Sequence, residues 1–148
     1  MGLIAHLGDG PVAVDTCIFI YFIEENPRFL PLIAPLFHEA DEGRRTLVTS
    51  ALALLEVLVI PYRAGDHALA ERYNALLTRG RGIRLVHCTL EQLRAAAQLR
   101  AITRLKTPDA LHCVAAMSAG CRILLTNDRD FQAPGLRVLQ LGSFARRP

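Results

Sequence analysis

No stretch of this 148-residue sequence approaches the roughly 18–20 apolar residues of a membrane span. Its first residues also lack a basic segment leading into an apolar one. The expectation is a cytoplasmic protein without a membrane anchor. Cysteine is sparse: Cys17, Cys88, Cys113 and Cys121 form no Cys-x-x-Cys pair and no zinc spacing. They read as reduced thiols rather than a disulfide framework or a zinc site. Lysine is nearly absent, since Lys106 stands alone beside sixteen arginines. There is no glycine-rich phosphate loop, no Gly-x-Ser-x-Gly elbow and no paired His–Glu zinc motif, which removes the nucleotide-cradling, serine-hydrolase and zinc-hydrolase readings. Repeats, linkers and low-complexity tracts are missing as well.

What is present is apolar. Hydrophobic residues make up 51% of the chain, and the mean hydropathy is +0.26. That surplus implies buried strands and helices, with surface left over for a partner. The length suits one domain, residues 1–148, large enough to bury about two-thirds of its unfolded surface. The net charge of +3 is modest, but arginine is suited to bidentate contact with phosphate.

Short apolar runs alternate with helical patterns. Strands are expected at Pro11–Val14, Thr46–Thr49, Ile83–Val86, Ile123–Leu125 and Leu136–Leu139. Between them, Ile18–Ile23 reads as a helix capped by Asp15 and stopped near Pro27. Pro31–Ala40, Ala51–Tyr62, Asp66–Leu77, Thr89–Thr103 and Pro108–Ala119 read as further helices. Such alternation predicts an α/β fold, a three-layer α/β/α sandwich around a short parallel sheet of about five strands. Two helices in succession before the fourth strand cannot both be simple return crossovers, so one is expected to tilt across the sheet.

Three strands end directly on polar residues: Asp15-Thr16, Thr49-Ser50 and Thr126-Asn127-Asp128. The helix that opens at Thr107-Pro108-Asp109 runs antiparallel to the strand it feeds. Asp109 should therefore lie at the same sheet edge as Asp128, the edge where doubly wound folds build their sites. Glu56 sits in Leu52–Ile60, apolar on nearly every side, which reads as a buried helix. No local cation pairs with it, and an unpaired buried carboxylate costs several kcal/mol. His112, one turn after Asp109, reads as a partly buried structural residue. Asp130 reads as a turn residue that could assist.

Acids converging with no arginine or lysine fixed among them repel one another, and repulsion and burial raise their pKa values. A divalent cation relieves this, and oxygen ligands suit Mg²⁺ or Mn²⁺. Such an ion lowers the pKa of a bound water and shields a phosphodiester from the carboxylates. Thr16, Ser50, Thr126 and Asn127 are placed to orient waters or phosphate oxygens.

The pattern resembles a PIN domain, in particular a VapC-type toxin ribonuclease. The resemblance rests on Val14-Asp15-Thr16, on Ser50 followed by Leu55-Glu56-Val57, on Thr107-Pro108-Asp109-Ala110-Leu111-His112, and on Leu125 to Phe131. It spans essentially the whole chain in the family's order. It implies Mg²⁺- or Mn²⁺-dependent cleavage of single-stranded RNA, a homodimer, and inhibition by a small cognate antitoxin. Asp15, Glu56, Asp109 and Asp128 would form the acidic quartet that holds the metal. Water activated there would attack phosphorus in line, leaving a 5′-phosphate and a 3′-hydroxyl. Cys17 departs from the family, which more often has Asn or Ser there.

Two rival readings remain open in the sequence. One is an RNA-binding module of the same fold that does not cut, against which four mutually repelling acids argue. The other is a different metal-dependent phosphoryl hydrolase. A receiver-like phosphoacceptor would need a second acid beside Asp15 and a lysine after the last strand, and a haloacid-dehalogenase-type phosphatase would need Asp-x-Asp where Cys17 stands.

Overall fold

The structure is a computed structural model and describes residues 2–145. Five strands form one sheet: β1 (Val12–Val14), β2 (Leu47–Ser50), β3 (Ile83–Val86), β4 (Ile123–Thr126) and β5 (Arg137–Gln140). Their order is β3-β2-β1-β4-β5, and every neighbouring pair is parallel. Among the described residues the sheet is flanked by seven helices: α1 (Leu3–Leu7), α2 (Thr16–Ile23), α3 (Leu30–Asp41), α4 (Leu52–Arg63), α5 (His67–Arg79), α6 (Leu90–Ile102) and α7 (Thr107–Ser118).

The period-two geometry of a strand sorts the core into two halves. Val12 and Val14 point to one face, with Leu47 and Leu125, into a cluster built with α1 to α5 through residues such as Phe19, Ile33, Leu36 and Tyr73. Ala13, Val48 and Leu124 point to the other face, beneath Leu111, Val114 and Ala96 of α7 and α6. The central strands are thus covered on both sides, which is why β1 and β4 read as continuous apolar runs. This is the expected three-layer sandwich.

Several details differ from the sequence reading. Helix α1 was not expected; five residues are too few to show a helical period. Strands β2 and β5 begin one residue later than expected, within the ordinary scatter of element ends. The two successive helices before β4 differ in how they meet the sheet. Helix α7 lies against it, with Ala110 to Ala116 all buried, and α6 packs on α7, burying only Ala96. Gly120, with φ of 76°, follows the end of α7, where the left-handed conformation favours glycine.

Helix α4 is corrected more substantially. It is not buried all round: only Ala53, Val57 and Pro61 are fully covered, and Leu55 and Ile60 are 62% and 72% exposed. The apolar surplus of the sequence lies here and on Leu90 and Ile102 of α6. Helices α2 and α3 turn Ile18, Phe19, Ile33, Leu36 and Phe37 into the core. Among the described residues no helix is long and apolar enough to cross a membrane.

Candidate active site

The strand order reverses between β1 and β4: β1 continues towards β2, and β4 continues towards β5 on the other side. The crevice beyond the C-terminal ends of those two strands is the switch point of the sheet. Asp15 follows β1 directly and its main-chain N–H donates to Leu125 O at 2.9 Å, so β4 fixes its position. One Asp15 oxygen caps α2 by accepting from the Thr16 N–H at 2.8 Å. The other accepts from the Thr126 hydroxyl at 2.7 Å. That hydroxyl in turn accepts from the Asp128 N–H at 3.1 Å, so Thr126 ties the two acids of adjoining strand ends together.

Asp109 reaches the same edge from the first turn of α7. Thr107 is the first helical residue of α7. Its hydroxyl accepts from Arg100, and Lys106 occupies the cap position without a side-chain bond. Burial pushes the Asp109 carboxyl above its ordinary range; the charges of Asp15, Asp128 and Glu56 push it the same way, against His112. Glu56, Asp109, Asp128 and Asp130 line one cleft of about 500 Å³, with Arg104 and Lys106 on its rim. The cleft therefore joins acids from three separate stretches of chain. Asp130 is held beside Asp128, to whose side chain its N–H donates at 2.9 Å.

Glu56 is not unpaired. His112 Nε2 lies 2.8 Å from Glu56 Oε1, and the Thr16 hydroxyl donates to the same oxygen at 3.0 Å. Burial acts to raise the Glu56 pKa, but the hydrogen bond and charge of His112, with the Thr16 hydroxyl, outweigh it and leave the carboxyl below its usual range. His112 is 4% exposed, and its Nδ1 has no hydrogen-bond partner among the described residues. The sequence reading passed over this contact. The available signal was the i, i+3 spacing from Asp109, which puts both side chains on one face of α7.

Ser50 and Asn127 are placed differently from the others. The Ser50 hydroxyl accepts from the Leu52 N–H and lies against Cys88 Sγ, so no bond joins it to the carboxylates. Asn127 faces away from the acids: its Oδ1 accepts from the Gly142 N–H at 3.0 Å and its Nδ2 donates to the Tyr21 hydroxyl at 3.1 Å. Cys17 lies close by, its thiol pushed up to about 12 by burial and by Asp15.

The donor set suits a hard divalent cation. It is all oxygen, it contains a carboxyl raised by burial and by its anionic neighbours, and among the described residues no arginine or lysine is bonded within it. Among the described residues, no three His, Cys, Asp or Glu side chains already surround one point at ligand distance.

The family profile of the PIN domain matches residues 12–135, from β1 to the loop before β5. The chain belongs to the PIN domain family. A search of curated proteins finds no match. Solved structures share this PIN fold at low identity. The VapBC2 complex of Rickettsia felis, bound to a promoter DNA fragment, contains a chain 15% identical with a TM-score of 0.66, covering 88% of this chain and 98% of that one. VapC20 of Mycobacterium tuberculosis, described as a toxin that cleaves the sarcin–ricin loop, is 18% identical with a TM-score of 0.66, covering 84% and 95%. The DNA-bound VapBC of Salmonella typhimurium contributes a chain 21% identical with a TM-score of 0.62, covering 89% and 98%.

Proposed function

We propose that this PIN domain is a metal-dependent endoribonuclease, the toxin of a type II toxin–antitoxin pair. The observation that carries the reading is Asp109, raised in pKa within a cleft it shares with Glu56 and Asp128, at the switch point of the sheet. Asp15, Asp109 and Asp128 would hold Mg²⁺ or Mn²⁺, directly or through water, and Glu56 would hold a second ion or act through a water. When bound, the ion would offset the mutual repulsion of the carboxylates and lower the pKa of the water that hydrolyses the phosphodiester.

The remaining residues have positional tasks. Thr126 fixes one oxygen of Asp15 and the main chain of Asp128, which sets the spacing of the two acids. Thr16 and His112 hold Oε1 of Glu56, and among the described residues nothing bonds its other oxygen. Arg104 and Lys106 stand on the cleft rim, where a polyanion would otherwise meet only carboxylates. Cleavage would leave a 5′-phosphate and a 3′-hydroxyl.

The antitoxin and a second copy of the chain are the proposed partners. The toxin–antitoxin complexes among the structural neighbours support the first, and the exposed Leu55, Ile60, Tyr62 and Ile102 would serve either. Sedimentation at micromolar concentration tests the homodimer; a monomer there removes it. The activity is tested on a mixed RNA panel with Mn²⁺, Mg²⁺ or chelator. Asp128→Asn should cut about a hundredfold more slowly or less, and an equally active variant would remove Asp128 from the mechanism.

A further inference from the structure

The turn 127–130 has two sides. Asp128 and Asp130 line the acidic cleft, whereas Asn127 and Arg129 line a separate cavity of about 490 Å³ with Arg28, Phe29, Gln140 and Ser143. The two cavities share the turn 127–130, whose alternate residues line one or the other. The turn is held rigidly, since Gly142 and Tyr21 fix Asn127 and the Gln140 amide donates to Asp128 O at 2.9 Å.

The cavity is cationic. Arg129 is flanked in sequence by two aspartates yet pairs with neither. Among the described residues the arginines that form ion pairs are Arg44, Arg45 and Arg79. Arg28 is likewise free of carboxylates and lies over the Phe29 ring, 5.1 Å from its centroid. That ring is itself stacked on Tyr21 at 4.7 Å, so the platform beneath Arg28 is fixed. Two guanidinium groups without carboxylate partners suit a phosphate group, because arginine binds phosphate in a bidentate fork. Apolar anchors for a protein segment are lacking, since Phe29 is buried.

We infer that this cavity is a subsite for the nucleotide of single-stranded RNA next to the scissile phosphate, with Arg28 and Arg129 taking its phosphate. The inference rests on the nuclease reading and extends it: the strand crosses the turn 127–130, leaving the bond to be cut on the Asp128 side.

The test is equilibrium binding of an unstructured RNA oligomer over a salt series, in an Asp128→Asn background so that nothing is cut. Adding Arg28→Gln and Arg129→Gln together should weaken binding at least about tenfold. It should also lower the slope of log affinity against log salt by about 0.7, the value for the one phosphate the two arginines share. Arg137→Gln, at the opposite end of β5, should leave both unchanged. A double variant with the parent's affinity and slope would overturn the subsite and leave the cavity to a protein segment. A wild-type chain that cuts no RNA in Mn²⁺ would overturn the nuclease reading instead, and would do so through cleavage rather than through the salt slope.

Discussion

Glu56 of α4 and His112 of α7 meet across the crevice with Oε1 2.8 Å from Nε2, although 56 residues separate them in sequence. The half-buried carboxylate thereby gains a partner that its own helix does not provide. Removing that partner leaves Glu56 with the Thr16 hydroxyl alone and opens a cavity in the core around α7. His112→Ala should cost about 2–3 kcal/mol in a urea titration, and His112→Gln, which retains a donor, should cost less. An unchanged midpoint for the alanine variant would show that the contact contributes nothing.

The same pair has a pH signature. The folded-state pKa of Glu56 is depressed, so its contribution to stability is present above the unfolded value of about 4.3 and is lost as pH falls through the folded value. Unfolding followed from pH 6 downward should show a shallower acid limb in Glu56→Gln than in the parent. Identical limbs would contradict the assignment.

Asp109 has the opposite sign. Its pKa is raised in the folded state, so the ionised carboxyl opposes folding at neutral pH, and the contribution is lost as pH rises through the folded value. Asp109→Asn should therefore stabilise the metal-free protein at pH 7, by up to about 1 kcal/mol after allowance for solvent screening. Destabilisation by Asp109→Asn would mean that the carboxyl is held by bonds outweighing its repulsion.

Divalent cation should act on the same groups. At a hundredfold excess over its dissociation constant, Mn²⁺ should stabilise the fold by about 2.7 kcal/mol, raising Tm by about 5–10 °C. Asp15→Asn should reduce that shift. A parent whose Tm does not respond to saturating Mn²⁺ would argue against a metal site.

Cysteine reactivity reads the packing. Cys17 and Cys113 are pushed up to about 12 and Cys121 to about 11, each chiefly by burial, whereas Cys88 is exposed. Mass spectrometry after brief iodoacetamide treatment at pH 8 should find one adduct, at Cys88. Modification of Cys17 in the folded protein would show that the site opens to solvent.

The sheet was legible because β1 and β4 are short apolar runs that stop on Asp15 and Thr126, a pattern that physics confines to buried parallel strands. Asp109 and Asp128 could be brought to one edge because a helix feeding a parallel strand runs against it. Contacts between elements were not legible. Periodicity places His112 on α7 but cannot say that Glu56 lies opposite, and the apolar surround of Glu56 suggested burial where Leu55 and Ile60 face solvent. Ser50 looked available because it ends a strand, yet its hydroxyl is taken up by Leu52 and Cys88. Asn127 turned to the other side for a similar reason, drawn by Tyr21 and Gly142.

The central claim is that the acids at the switch point form a metal-dependent RNA-cleaving centre. Its most direct test is the initial rate of RNA cleavage as Mn²⁺ is titrated into chelator-stripped protein, with Asp109→Asn run beside the parent. The account predicts a rate that rises and saturates with Mn²⁺ in the parent and stays at background in the variant. Cleavage that persists in chelator, or that the variant retains at the parent's rate, would contradict it.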